Sequence, residues 1–335
     1  MPTSHVHGVC ATLLLLVAPI VSLANEADTG DQGGPAKEIL PADVLVEVDL
    51  VRQRLQQLRS VMGRPENRNP DLFIEGAAPR EVYFQALTLF RKADRLCAEH
   101  TAERFEAPEP PVRNIRSADV FQVVSQAGDR IDRVRQSAGI DEDVSPAERD
   151  PTTTPDDVFR SIVQANRQLN LLLDRQVSPS DVFEEVTFGI GYAASILATF
   201  PGSDRIPEAP AFEGSKRPAN VYQRLVDCFA RIRKIAQLSG LDVLELRMDE
   251  EVDQEASPSD VFDIASLLVS ELAFIHSQLP DAKPPRRTVY PGRKFPSHVY
   301  QRVGILERQL IELEKWVGDD PNWLKRAGAT RATTR

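Results

Sequence analysis

Acidic side chains recur at regular intervals, and their type and spacing could carry chemistry. Asp181 and Asp260 stand in two identical copies of Ser-Pro-Ser-Asp-Val-Phe, and looser copies hold Asp119 and Asp157. Carboxylates gathered on one surface would bind a cation or a basic partner. A carboxylate at the third position of a helix instead reaches back to the first turn and faces the positive end of the helix dipole. We favour the second interpretation and expect these acids to be structural.

The rest of the motif also indicates the start of a helix. Ser178 is expected at the N-cap, where its hydroxyl accepts from a free backbone N–H. Pro179 then falls at the first helical position, where its missing N–H is not needed. Val182 and Phe183 follow the capping acid and begin the buried face.

The motif occurs eight times, and its valine recurs every 38 to 40 residues apart from one step of 24. From each valine, mostly apolar residues follow at the 4-3 spacing of a left-handed helical bundle. A period this regular predicts a repeat architecture. The sequence therefore predicts an all-α fold of eight amphipathic helices, whose valines are Val44, Val82, Val120, Val158, Val182, Val221, Val261 and Val299.

The spacing also suggests how the helices are grouped. The short step separates a first four-helix unit, residues 41–176, from a second, residues 177–317, and the alternative is one continuous array of helix pairs. The connection at 174–178 is short and predicts an antiparallel pair or a sharp bend. The other connections hold about 16 residues, which extend to ~50 Å and allow parallel neighbours. We expect a loose basic tail over 318–335, apart from Trp323-Leu324, which could dock on the bundle.

The N-terminus has the composition of a secretory signal peptide. Residues 1–24 carry no Asp, Glu, Lys or Arg, and an apolar run ends in Ser22-Leu23-Ala24. We expect cleavage near Ala24, a disordered leader over 25–40, and a periplasmic or secreted protein. A short membrane anchor is the alternative interpretation, although the run is shorter than the ~20 residues that a span needs. No later segment is apolar enough to span a membrane.

Charge and motif content disfavour several classes of protein. A net charge of −10 is unfavourable for nucleic-acid binding. The basic clusters at 231–234 and 283–287 are interpreted as solvated surface. The chain has no phosphate-binding loop and no nucleophile motif, and Gly189 and Gly191 lie inside a predicted helix. We interpret Gly189 as a point of close contact between helices.

Two thiols and three imidazoles remain after the predicted cleavage. Cys97 and Cys228 lie on or beside apolar stripes and are expected to be free and buried, although an oxidising compartment would permit a disulfide. His100, His276 and His298 stand in no metal-binding spacing.

No residue is therefore assigned to a catalytic, cofactor or metal site. The Phe or Tyr after each valine is interpreted as core, not as a binding rim.

These observations favour an exported, non-catalytic interaction or scaffold protein with a peptide or protein partner, no cofactor and no nucleic acid. A bundle that senses a small ligand is the second hypothesis. A glycan hydrolase using two carboxylates is the third, although the sequence singles out no pair.

Overall fold

The structure, a computed structural model, describes residues 38–67, 73–108, 111, 114–174, 176–247, 256–280, 282–287 and 292–332. It is 65% helix and 1% strand, so the predicted all-α class is confirmed. The predicted signal peptide and most of the predicted leader lie outside the described residues. The elements found within them are α1 Pro41–Val61, β1 Phe73–Glu75, α2 Pro79–Thr101, α3 Ser117–Ser137, α4 Pro155–Leu172, α5 Pro179–Leu197, α6 Pro218–Leu238, β2 Glu245–Arg247, α7 Pro258–Ser277, α8 Pro296–Asp319 and α9 Trp323–Ala332.

Helices α1 to α8 begin with the same contact. The side chain at the third helical position accepts a hydrogen bond from the backbone N–H of the N-cap residue. This removes one unsatisfied donor from each helix end. The eight N-cap and acceptor pairs are Leu40–Asp43, Ala78–Glu81, Arg116–Asp119, Thr154–Asp157, Ser178–Asp181, Arg217–Asn220, Ser257–Asp260 and Phe295–His298.

The role predicted for Ser178 is wrong in detail. Its hydroxyl donates to Asp181 Oδ2 at 2.6 Å, and its backbone carbonyl accepts from the N–H of Asp181 at 3.0 Å. In the second identical copy, Ser257 Oγ also accepts a long bond, 3.3 Å, from the N–H of Asp260. The capping group common to α1–α8 is thus the third helical residue, because five of their N-cap residues have no side-chain oxygen.

The repeated valines form the centre of the core. Each is 3% exposed or less. The aromatic residue that follows is fully buried in three copies, Tyr83, Phe159 and Tyr222. In four others it is partly buried and packs against the core: Phe121, Phe183, Phe262 and Tyr300. The interpretation of these aromatics as core is confirmed for the first three and holds in part for the rest.

Helices α1 to α4 run parallel. Helix α1 packs against α3 and α4, and α2 packs against the same two helices. The first turns of all four helices surround one small cavity of about 10 Å³. Its lining comes from equivalent positions of the motif: Pro41, Val44, Pro79, Val82, Ser117, Val120, Pro155 and Val158.

Helices α5 to α8 pack in the same pattern, with α5 and α6 each against α7 and α8. Arg224 of α6 pairs with Glu307 of α8, and Arg231, seven residues on, pairs with Glu314. The pairs ascend in the same order on both helices, so α6 and α8 are parallel.

Long connections bring the chain back to the start of each parallel helix. The segment after α3 runs down α1, where Gln57 and Gln53 donate to the carbonyls of Glu142 and Ser145. The segment after α5 runs down α8 in the same way. Backbone carbonyls in these connections thus accept hydrogen bonds from helix side chains.

Residues from Glu38 to Arg335 form one compact unit. Within it, α2 packs against α7, and β1 pairs antiparallel with β2. Arg80 at the start of α2 pairs with Glu271 late in α7, whereas Lys92, further along α2, pairs with Asp263 early in α7. Helices α2 and α7 are therefore antiparallel.

The expectation of a loose tail needs correction over its described part. Helix α8 extends to Asp319, and α9 follows. Trp323 is fully buried, and its Nε1–H donates to Ser239 Oγ at 2.9 Å. Its ring packs against Phe200. Within the described residues, no helix is long and apolar enough to cross a membrane.

Candidate functional site

The repeated acids are engaged at the helix starts, as the capping interpretation predicts. Hydrogen bonds from the side chain and backbone of Thr154 hold the pKa of Asp157 below its usual value. A carboxylate used in this way stabilises the helix and stays charged at neutral pH. Among the described residues, no group of three or more His, Cys, Asp or Glu side chains is placed to hold a metal ion.

The thiols and one imidazole lie in the interior. Cys97 and Cys228 are free and buried, as expected. Burial raises the pKa of the Cys228 thiol, which makes it a poor nucleophile. His276 is buried with its ring 5.3 Å from that of Tyr192, and burial lowers its pKa. These are packing positions.

The two glycines of α5 allow close packing. A Cβ at Gly189 would lie 3.3 Å from Val269 of α7 and 3.7 Å from Leu306 of α8. A Cβ at Gly191 would lie 2.9 Å from Pro285, in the segment that returns along α5. The predicted close contact at Gly189 is confirmed.

Two buried glutamates meet between α2 and α7, and the sequence did not single them out. Glu81 is 1% exposed and Glu271 is fully buried. Arg80 Nη2 lies 2.6 Å from Glu81 and 3.7 Å from Glu271. Burial and then the Glu81 carboxylate raise the pKa of Glu271 well above its usual value. The pair is closed off from solvent, so it cannot reach a glycan in this conformation.

The contact between these helices includes buried polar groups. Lys92 and Asp263 form an ion pair within it. Some buried side-chain oxygens there and on the neighbouring α4 have no hydrogen-bond partner in the described part of the chain, and such groups weaken an interface. Among them are Gln85 Oε1 of α2, Ser266 Oγ of α7, and Asn166 Oδ1 and Asn170 Oδ1 of α4.

An exposed group of three rings lies at the start of α8. Phe212 and Phe295 are 53% and 51% exposed, among the most exposed large apolar residues of the described chain. Each packs against His298, with ring centroids 5.2 and 5.8 Å apart. His298 is held in place because its Nδ1 accepts from the backbone N–H of Phe295. Exposed aromatic rings grouped in this way are typical of interaction sites.

One cation lies against these rings, and others stand nearby at the starts of α6 and α8. Arg217 and Arg293 are exposed, and the Arg293 guanidinium lies 5.2 Å from the Phe295 ring centre. The start of α6 is held beside α8 because the backbone N–H of Lys216 donates to Ser297 Oγ at 3.1 Å. The start of α5 is held similarly through Lys294 and Ser180.

We call the whole set the aromatic–basic surface: Phe212, Phe295, His298, Arg217, Arg293 and Lys294.

The basic clusters noted in the sequence are partly paired. Arg231 and Lys234 both pair with Glu314 of α8. Arg287 forms two hydrogen bonds with Glu185, whereas Lys283 and Arg286 are exposed.

A groove of about 270 Å³ lies on α6, lined by Val226, Phe229, Ala230, Arg233, Lys234 and Gln237.

The sequence carried one signal for the aromatic–basic surface. The acid of the motif is replaced by Asn220 in α6 and His298 in α8, the two helices whose starts form this surface. The comparisons with known proteins add nothing to this geometry: no family model, no curated protein and no solved structure matches the chain.

Proposed function

We propose that this protein is an exported, non-catalytic interaction or scaffold module that binds a peptide or protein partner through the aromatic–basic surface. The observation that carries the proposal is the exposure of Phe212 and Phe295 against one shared ring, His298, in a chain whose motif aromatics are buried or partly buried. Aromatic residues and arginine are enriched in protein interfaces.

The interior offers less support for the other two hypotheses. The cavity at the starts of α1–α4 holds about 10 Å³, too little for a small-molecule ligand, which usually occupies ~300 Å³ or more. The α6 groove holds about 270 Å³, which is just below that range. The carboxyl pair Glu81–Glu271 is buried, and the two carboxylates of a hydrolase must flank a substrate.

Differential capture from the native cell envelope tests the proposal. The bait is the chain from Asn25 onward, compared with a Phe212→Ser/Phe295→Ser variant. The matched control is Ile206→Ser/Ile311→Ser, which removes two apolar side chains of similar exposure, 65% and 47%. We expect at least one captured protein to be lost with the first variant and kept with the second. Equal capture by all three baits would contradict the proposal.

A further inference from the structure

We propose that the aromatic–basic surface recognises an acidic peptide segment that also carries apolar side chains. This inference rests on the proposed function, because it assigns a class of partner to the same surface. The inference rests on two features of this surface: exposed aromatic rings, and cations that form no ion pair in the described part of the chain.

Charge is the first argument. The chain carries a net charge of −10, yet exposed cations border the rings, and the nearby Glu213 carboxylate is paired with Lys216. Arg217 and Arg293 are exposed and have no ion pair to an acidic side chain in the described part of the chain, whereas Lys216 is paired with Glu213 at 2.7 Å. An acidic partner would complement these cations and be drawn to them at long range.

The third helical residues of the other helices also support an acidic partner. At the other helix starts the third helical residue is a carboxylate, whereas α6 and α8 use the neutral Asn220 amide and the His298 ring. An Asp at position 298 would place a negative charge beneath both phenylalanine rings and repel an acidic partner. The substitution keeps the capping bond while removing that charge.

The partial burial of the two phenylalanine rings and their contact with His298 favour a peptide over a lipid surface as the partner. Phe212 and Phe295 are each about half buried, and both rest on His298. Side chains that anchor a protein in a bilayer reach roughly 5–10 Å into the boundary between headgroups and acyl chains. Half-buried rings that rest on a third ring offer an apolar surface close to the protein instead, which suits a Leu, Phe or Met side chain between two carboxylates.

The test is selection from a displayed library of 12-residue peptides in three matched pools. Each pool varies two apolar positions, and the flanking positions are acidic, neutral or basic. We expect the acidic pool to be enriched. For a selected peptide, Arg217→Glu/Arg293→Glu should weaken binding by about tenfold or more, and so should Phe212→Ser/Phe295→Ser. Lys283→Glu/Arg286→Glu, the same charge change at two exposed cations beside the middle of α5, should leave binding within about twofold.

The possible results separate the two proposals. Enrichment of the neutral or basic pool that depends on Phe212 and Phe295 would overturn the acidic assignment and leave the proposed function standing. No enrichment that depends on these residues in any pool would overturn both. Binding to phosphatidylglycerol vesicles that is lost with Phe212→Ser/Phe295→Ser, without peptide enrichment, would assign the surface to a membrane and overturn this inference.

Discussion

Lys92 of α2 and Asp263 of α7 are 171 residues apart in the chain, yet Lys92 Nζ lies 2.7 Å from Asp263 Oδ1. The Lys92 side chain is 4% exposed and that of Asp263 is 11% exposed. Burial raises the pKa of Asp263, and the charge and hydrogen bond of Lys92 act in the opposite direction. The pair joins α1–α4 to α5–α8 where the two sets of parallel helices meet with opposite directions.

Removing one member of this pair should be more damaging than removing both. We expect Lys92→Ala or Asp263→Ala to lower the free energy of unfolding by about 3–5 kcal/mol, because each leaves a buried charge unpaired. Lys92→Met/Asp263→Leu should lie much closer to the parent protein. Urea denaturation of these three variants measures the free energy of unfolding. A fourth variant, Lys92→Ala/Asp263→Ala, tests the coupling: a loss equal to the sum of the two single losses would contradict the pairing.

Glu271 should make stability fall as pH rises. Its pKa is raised in the folded protein, so the folded state binds more protons than the unfolded state above the ordinary glutamate value of about 4.5. The free energy of unfolding therefore declines from that pH up to the raised pKa of Glu271. We expect Glu271→Gln to increase the free energy of unfolding at pH 7 and to make it less dependent on pH.

Thermal melting between pH 4 and pH 8, a range that begins near the ordinary glutamate pKa and extends above it, provides the measurement. The exposed Glu208→Gln is the matched control and should change neither the melting temperature nor its slope with pH. A Glu271→Gln variant whose pH profile runs parallel to that of the parent would show that Glu271 is not the group responsible.

The capping acids should matter through their oxygen atom more than through their charge. Asp181→Ala should cost about 1 kcal/mol, because the N–H of Ser178 loses its acceptor. Asp181→Asn should cost only a few tenths of a kcal/mol, since the Asn220 amide already caps α6 in this way. Equal losses for both substitutions, measured by urea denaturation, would contradict the capping interpretation.

A fourfold change to Asn at Asp119, Asp157, Asp181 and Asp260 separates capping from cation binding. We expect lower stability and no heat on calorimetric titration with Ca²⁺ or Mg²⁺ in either protein. Unchanged stability, together with a cation signal present only in the parent, would make these acids a binding surface.

The local rules of helix formation made much of this fold predictable. The motif predicts where α1 to α8 begin, because its proline and capping acid act within a single helical turn. The buried stripe was predictable because each repeated valine starts a 4-3 spacing that must face a neighbour. Gly189 was predictable for a related reason, since a glycine on that stripe marks a close approach.

The candidate site was less accessible to sequence reasoning. The exposure of Phe212 and Phe295 follows from tertiary packing, because neither residue belongs to the helical stripe from which burial could be predicted. The contact of Glu81 with Glu271 requires the antiparallel placement of α2 and α7, which no local pattern encodes. Helix α9 was missed because its sequence is basic, although burial of Trp323 anchors it.

Export remains a prediction, and protein chemistry can test it directly. We expect the exported chain to begin at Asn25, because Ser22 and Ala24 place small residues where the signal peptidase requires them. N-terminal sequencing of protein purified from the cell envelope provides the measurement. A chain that still begins at Met1 would indicate an anchor or a protein that is not exported.

Amide hydrogen exchange of the captured complex tests the proposed function most directly. If the aromatic–basic surface binds the partner, exchange should slow at 212–217 and 293–300, and the Phe212→Ser/Phe295→Ser variant should lose that protection. The outer side of α6, residues 226–237, should exchange at the same rate with and without partner. Protection confined to α6, or no change around Phe212 and Phe295, would contradict the account.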